Sequence, residues 1–335
     1  MLLALRSRIP KMSIPPLRFL SSHPSGAHPN PQPASEKPTS AHYDQLITIA
    51  GQSRDFPAIH SFLTQRVRSG YFNTATTFKF LTLVDPTTLP SILSPLIETI
   101  SALEMGYGRK NALDSLIACL SKSHPQHARY VLDEMLKRRL GANACTFYPL
   151  ISSLSRKKQM ADVSDLLDLM RGEGIPPDTT CHNYMLSALC HIGDLPAAAQ
   201  TLNSMLGEGL EADSLTFDAL VLGACRLGRF DGAVALVRRM EEEGVRGMYS
   251  TYAHVIRGML SIGGYAEAVE FVRRVGGRDG RLDGENYGVL GRGLVWKGRW
   301  DEVRIVVREM EEKGLEIEEK LNDAYHLHMD DSNVI

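Results

Sequence analysis

A repeat of 35 residues dominates this sequence and limits the folds that the chain can adopt. Three series of apolar residues recur at this step, and they stand to one another at i, i+4 and i+7, the spacing of one helix face. The series are Val163, Ala198, Ala233, Ala268 and Val303, then Leu167, Leu202, Val237, Val272 and Val307, then Met170, Met205, Met240, Val275 and Met310. They predict one helix, called helix B, in each repeat.

A second apolar face lies upstream of helix B and predicts a helix A. Its three series are Phe147, His182, Phe217, Tyr252 and Tyr287, then Leu150, Met185, Leu220, Val255 and Leu290, then Leu154, Leu189, Ala224, Met259 and Leu294. Between the two helices come Gly193, Gly228, Gly263 and Gly298, with Lys158 in the first copy. Glycine past a helix end takes the left-handed conformation at little cost, so each repeat is predicted to be a helical hairpin.

Five copies are in strict register, at 144–178, 179–213, 214–248, 249–283 and 284–318, and a weaker copy occupies 110–143. Residues 40–109 are predicted to hold divergent N-terminal repeats: a copy at 40–72, then a slot at 73–109 interrupted by Pro86, Pro90 and Pro95. Residues 319–335 are interpreted as a C-terminal cap and tail. A single hairpin buries only one side, so stacked hairpins are needed to complete a core. The sequence therefore predicts an all-α fold, a right-handed superhelical solenoid whose A helices line the concave side.

Residues 1–35 are predicted to be a targeting presequence with a disordered linker rather than part of the fold. Arg6, Arg8, Lys11 and Arg18 are basic, and the first acidic residue is Glu36. The segment Arg18-Phe19-Leu20-Ser21-Ser22 is typical of a mitochondrial cleavage site. The mitochondrion is the predicted destination, the chloroplast is the alternative, and an untargeted N-terminus is the third interpretation.

The repeats resemble the P-type arrays of the pentatricopeptide repeat family of plant organelles, over about residues 40 to 318. Thr146-Phe147-Tyr148-Pro149-Leu150-Ile151 matches part of the start of the family motif, and Leu169-Met170-Arg171-Gly172-Glu173-Gly174-Ile175-Pro176-Pro177-Asp178 matches its end. Cys190 and Cys225 stand where the family often has a small residue. The related tetratricopeptide repeat has Gly or Ala after the helix A leucine, and only Gly291 conforms to that rule.

The resemblance implies binding of single-stranded RNA in organelles, with about one base taken by each repeat. In the family, the fifth residue of helix A and the last residue of the repeat read the base. The corresponding pairs are Asp114 with Asn143, Tyr148 with Asp178, Asn183 with Asp213, Asp218 with Met248, Ala253 with Asp283, and Gly288 with Glu318. Only Asn183 with Asp213 is a standard pair, which in the family favours uracil. In the alternative interpretation, Asp178, Asp213 and Asp283 are helix N-caps.

Two further sets of residues complete the predicted RNA contacts. Thr180 and Leu215 stand at the second position, where the family flanks the base with apolar surface. Arg156 and Arg226 stand at the thirteenth position and are candidate phosphate contacts. The alternative for both arginines is a solvated helix end.

Overall charge gives no separate argument for RNA, because 37 basic residues face 39 acidic ones and the net charge is -2. No cofactor, metal site or catalytic residue is predicted, since the five cysteines form no Cys-x-x-Cys pair and no His-x-Glu motif accompanies them. The predicted function is therefore binding without catalysis. The predicted partner is RNA, with an organellar ribosome or another protein complex as the alternative, and neither a membrane nor a small-molecule substrate is expected.

Overall fold

The computed structural model describes residues 38–277 and 279–332. The predicted presequence at 1–35 lies outside these ranges. The described part of the chain consists of α-helices and one 3₁₀ segment, without a β-strand, and this confirms the predicted all-α repeat fold. The helices are α1 (Ser40–Gln52), α2 (Phe56–Arg68), α3 (Leu89–Ser101), α4 (Tyr107–Ser123), α5 (Pro125–Lys137), α6 (Ala144–Arg156), α7 (Met160–Gly172), α8 (Thr179–Ile192), α9 (Leu195–Gly207), α10 (Ser214–Arg226), α11 (Phe230–Glu242), α12 (Tyr249–Ser261), α13 (Tyr265–Val275), α14 (Gly280–Trp296), α15 (Trp300–Glu312) and α16 (Glu319–Ser332).

From α4 onwards, even-numbered helices up to α14 are A helices and the following odd-numbered helices are B helices. Each A helix packs on its own B helix and on the next A helix, and the B helices α5, α11 and α13 also contact the A helix that follows them. The A helices thus form one continuous layer and the B helices a second. The face of the A layer that is turned away from the B helices is called the A-helix face below.

The turn from helix A to helix B needs a residue in the left-handed region. Gly193, Gly228, Gly263 and Gly298 occupy it with φ between 67° and 84°. In the first strict repeat the same position is Lys158, with φ 62°. A side chain is disfavoured in this conformation by roughly 1–2 kcal/mol, so Lys158 is held there by the surrounding turn.

Aspartates begin two of the A helices, as the N-cap interpretation expects. The Asp178 carboxylate accepts a hydrogen bond from the Cys181 backbone N–H at 3.1 Å, and Asp213 accepts one from the Thr216 N–H at 2.8 Å. Asp283 differs, because α14 starts earlier and Asp279 caps it. Asp283 instead lies inside the helix, where its carboxylate accepts from the Gly277 N–H at 2.7 Å.

The segment 73–109 is built differently from the other repeats. Residues Ala75–Leu83 form a 3₁₀ segment in place of an α-helical A element, and α3 follows with Pro90 in its first turn and Pro95 inside it. Neither proline ends α3, because proline is tolerated in a first turn and the helix continues through Pro95. At the other end, α16 packs on α14 and α15 and buries Leu321.

The buried apolar side chains form three clusters along the array. The first extends from Ile47 to Cys181 and the third from Phe217 to Leu321. Between them lies a small central cluster, whose buried members are Leu186, Leu189, Cys190, Ala198, Met205 and Ala219. Its B helix, α9, buries only Ala198, Thr201 and Met205. The core of the repeat at 179–213 therefore lies mostly in this small cluster.

Candidate functional site

A cleft on the A-helix face brings several predicted contact residues together. It has a volume of about 470 Å³ and runs along one side of α8, between the end of α6 and the start of α10. The predicted residues that line it are Arg156, Thr180, Asn183, Leu215 and Asp218. The other predicted residues, which are Asp114, Asn143, Tyr148, Asp178, Asp213 and Arg226, lie outside its lining.

Asn183 is held by a small hydrogen-bond network. It is only 6% exposed, and its Nδ2 donates to Asp213 Oδ1 at 2.9 Å. The Thr216 hydroxyl donates to Asn183 Oδ1 at 2.7 Å and accepts from the Asp213 backbone N–H at 3.1 Å. The predicted pair is therefore in direct contact, and the orientation of the Asn183 amide is fixed from the next A helix.

This contact recurs in other repeats. The Thr251 hydroxyl donates to Asp218 at 2.8 Å, and the Thr146 hydroxyl donates to Asp114 at 2.8 Å. In each case the third residue of one repeat binds the fifth residue of the preceding repeat. Sequence reasoning missed these threonines, although their recurrence just after each N-cap was a visible signal.

Asp218 is a partly buried carboxylate with several donors. It accepts from Ser250 at 2.7 Å and from Thr251, and His254 Nε2 lies 3.8 Å away. Burial on its own would raise the pKa of Asp218, but the nearby His254 ring and the hydrogen bonds from Ser250 and Thr251 outweigh it and hold that pKa below its ordinary value of 3.8. Asp218 is therefore ionised at neutral pH.

Tyr148 and Asp178 also bind each other. The phenol donates to the carboxylate, and the pKa of Tyr148 is raised by burial and by this hydrogen bond. The Tyr148 ring contacts Tyr184 edge-on, with centroids 6.2 Å apart. The Tyr148 hydroxyl is thus engaged within the protein.

The remaining candidate pairs are also engaged or lack polar atoms. Asp114 forms an ion pair with Lys110, and Asn143 caps α6 in a reciprocal arrangement with Thr146. Glu318 forms an ion pair with Arg292. Ala253 is fully buried, so it offers nothing to a base edge.

Positive charge collects at one end of the cleft. Arg156, Lys158 and His191 line that end and are exposed. Within the described ranges none of the three forms an ion pair or a side-chain hydrogen bond, and the same holds for Arg226. An anionic ligand would therefore meet the guanidinium of Arg156 and the ammonium of Lys158, neither of which has a competing partner, with the His191 ring beside them.

The described residues show neither a metal-binding cluster nor a cysteine activated as a nucleophile. No group of three or more His, Cys, Asp or Glu side chains is placed to hold a metal ion there. Burial raises the pKa of Cys119 and Cys190 to about 11 and that of Cys181 and Cys225 to about 12. These thiols are therefore protonated at neutral pH and poor nucleophiles. No helix within 38–277 or 279–332 is long and apolar enough to cross a bilayer.

Comparison with known proteins points to one family. A model described as pentatricopeptide repeat-containing protein matches residues 116–240, and a PPR repeat model matches residues 286–315. Two mitochondrial pentatricopeptide repeat-containing proteins of Arabidopsis thaliana are similar to the chain. One is 38% identical over 189 residues, covering 55% of this chain and 53% of the relative. The other is 37% identical over 156 residues, covering 46% and 43%.

The crystal structure of the pentatricopeptide repeat protein PPR10 in complex with an 18-nt psaJ RNA element has a similar fold. It superposes with a TM-score of 0.50 at 15% identity, over 84% of this chain and 40% of that one. At this identity the likeness concerns the fold alone. The chain spans about half the length of the curated relatives that it matches.

Proposed function

Because the chain belongs to the pentatricopeptide repeat family, we propose that it binds single-stranded RNA in an organelle and acts in transcript processing, stability or translation. The observation that carries this proposal is the cleft on the A-helix face. It places Asn183, which is bound by Asp213, in the same cleft as the unpaired cations Arg156 and Lys158. PPR10, whose fold is similar, was crystallised with an RNA element.

The Asn183 amide retains hydrogen-bonding capacity for a base. An amide group has two N–H donors and two acceptor lone pairs. One donor is used by Asp213 and one lone pair by Thr216. The remaining donor and acceptor are the complement of the donor–acceptor edge of uracil, in agreement with the preference that the resemblance implies.

We expect the protein to distinguish bases at few positions of a bound RNA. Tyr148 and Asp114 have partners within the protein, and Ala253 and Gly288 have no polar side-chain atom. We therefore propose one dominant base-reading position, at Asn183, within a longer stretch of RNA held with little regard to sequence.

The mitochondrion is the proposed location, with the chloroplast as the alternative. Both similar Arabidopsis proteins are named as mitochondrial, and the N-terminal residues 1–35 have the composition of a presequence. We also propose that the chain acts by binding and not as an enzyme, since the cleft combines hydrogen-bonding groups and cations without a nucleophile–base pair.

Crosslinking in isolated mitochondria, followed by sequencing of the bound RNA, tests this proposal. We expect one or a few transcripts to be enriched, with a uridine at the crosslinked segment. Recovery of no enriched transcript, together with no binding of purified protein to any single-stranded RNA, would overturn it.

A scaffold on a ribosome or another protein complex is the second candidate function. It is favoured by a column of exposed apolar side chains at the ends of successive A helices. These are Ile192, Leu227, Ile262 and Trp296, with exposed fractions from 39% to 81%. Large aligned apolar side chains often mark a protein interface. Sedimentation after RNase treatment separates the two functions, because a scaffold stays in the heavy fractions and a transcript binder is released.

A further inference from the structure

The cleft has a base-reading end and a cation end, and they are separated along α8. Asn183 lies near the start of this helix and His191 near its end. A rise of 1.5 Å per residue places them about 12 Å apart along the axis. Arg156 and Lys158 flank the His191 end from the neighbouring hairpin. The two ends are thus placed for the two ends of a nucleotide, the base edge and the phosphate.

Tyr184 forms an aromatic wall beside Asn183. It lines the cleft and is half-buried, and its ring is braced edge-on by Tyr148 at 61°. Tyr148 is in turn fixed by its bond to Asp178. Within the described part of the chain no hydrogen bond engages the Tyr184 hydroxyl. An aromatic ring held in this way is a platform on which any base can stack.

Ser155 contributes a buried hydroxyl that has no partner. The residue is 2% exposed and lines the cation end of the cleft, and its Oγ makes no hydrogen bond within the described part of the chain. Buried polar groups without a partner are rare in folded proteins, and a ligand is one explanation for them. The next two repeats have Cys190 and Cys225 at this position, so the fold does not require a hydroxyl there.

Lys158 lies at the same end of the cleft as Ser155, and its backbone N–H donates to the Ser155 carbonyl at 3.0 Å. It adopts the left-handed conformation that four later repeats assign to glycine. The backbone conformation of the turn therefore does not explain why residue 158 is a lysine, because glycine would make the turn more stable.

From these observations we propose that the cleft is a seat for one nucleotide of the bound RNA. Tyr184 stacks on the base while Asn183 contacts its edge, and Ser155 and Lys158 join Arg156 in holding its phosphate. This inference rests on the proposed RNA-binding function and adds Tyr184, Ser155 and Lys158 to the residues that contact RNA.

Fluorescence anisotropy with a labelled oligouridylate of about ten nucleotides tests the stacking contact. Tyr184→Leu should weaken binding by about five-fold to a hundredfold, and Tyr184→Phe, which keeps the ring, should weaken it far less. An oligouridylate with one abasic position should bind the wild type more weakly. The Tyr184→Leu variant should bind this abasic oligonucleotide about as well as the wild type does, because no base is then left to stack on residue 184.

Two further substitutions test the phosphate end. Lys158→Gly should fold at least as stably as the wild type and should reduce the slope of log affinity against log salt by about 0.7. Arg139→Gly is the matched control, since Arg139 is also an exposed basic residue in the left-handed region, φ 51°, but lies outside the cleft. Ser155→Ala should raise the melting temperature slightly while weakening RNA binding by about ten-fold.

The outcomes distinguish the seat from RNA binding in general. If the wild type binds oligouridylate and Tyr184→Leu, Lys158→Gly and Ser155→Ala all bind equally well, the seat is wrong and the RNA-binding function stands. If Lys158→Gly and Arg139→Gly change the salt slope equally, the phosphate contact is wrong. If the wild type binds no single-stranded RNA, the proposed function fails and the seat fails with it.

Discussion

At the scale of single residues, the amide of Asn183 belongs to the protein's own hydrogen-bond network and also faces the cleft. Thr216 and Asp213 fix its orientation from the next A helix. A base therefore meets a preoriented group and does not have to order it on binding. For the same reason, replacing Asn183 directly would change stability and RNA affinity together, so Thr216 is the more informative position.

Thr216→Val should lower the free energy of unfolding by about 1–2 kcal/mol, because a buried acceptor loses its donor. It should also reduce discrimination between uridine and other bases at one position without altering the lining of the cleft. Thr201→Val is the control, since the Thr201 hydroxyl donates only to the Ala197 carbonyl of its own helix. Urea denaturation and anisotropy measure both effects, and equal stability of the two variants would contradict the role of Thr216.

Asp218 should make stability depend on pH. Its pKa is below the ordinary value of 3.8, so its contribution is present above that value and is lost as the pH falls through the lower folded pKa. The difference in unfolding free energy between wild type and Asp218→Asn should therefore be small in acid, rise as the pH increases, and level off at about pH 5. A difference that does not change with pH would show that the carboxylate charge is not stabilised by Ser250, Thr251 and His254.

The sequence assigned residues to candidate reading positions by their place in the repeat, but it did not predict which of their side-chain atoms remain available. Asn183 and Asp213 were paired by their places in the repeat, and they are in contact at 2.9 Å. The engagement of Tyr148 by Asp178 and of Asp114 by Lys110 depends on side-chain geometry between helices, which a repeat pattern does not contain. Tyr184 and Ser155 were missed because their residue types do not recur at 35-residue steps.

At the scale of helices, the A layer depends on close approach between neighbours. Gly223 on α10 faces Cys190 on α8, and a Cβ at residue 223 would lie 2.9 Å from the Cys190 Cβ. Because that atom is attached directly to the backbone, it cannot move aside without moving the helix. Periodicity predicted these helices well, while the 3₁₀ segment at 75–83 was not foreseen. It contains no proline, and its helical path is interrupted at Phe78, whose backbone angles are not helical.

Gly223→Ala should lower the unfolding free energy by about 1–3 kcal/mol, despite the better helix propensity of alanine, because the added methyl group overpacks the α8–α10 contact. Gly284→Ala on α14 should instead stabilise by roughly 0.5–1 kcal/mol, since nothing lies within 4 Å of the added Cβ. Thermal and chemical denaturation of the two variants provide the comparison. Stabilisation by both substitutions would show that the helices separate easily at this contact.

At the scale of the whole array, stability should vary along the chain. Repeats interact mainly with their neighbours, so a repeat with a small core is a local minimum in stability. The central cluster around α8 and α9 is such a region, because it lies between two much larger clusters. The proposed nucleotide seat is on α8, in this same repeat.

Hydrogen exchange measured by mass spectrometry should show this directly. Amides of α9 should exchange faster than those of α7 and α15, whose buried faces contain larger side chains. Binding of oligouridylate should slow exchange in α8 and α9 more than in α15. Equal protection of all three B helices in the free protein would contradict the uneven distribution of the core.

The small central cluster also has a mechanical consequence. An array with two large apolar clusters and a small one between them is expected to have its weakest point, a hinge, at the small cluster. Tension applied to its ends would open the hinge first, at the repeat 179–213. A strand of RNA bound across this repeat would bridge the hinge, so the RNA-free protein should bend more easily than the RNA-bound protein.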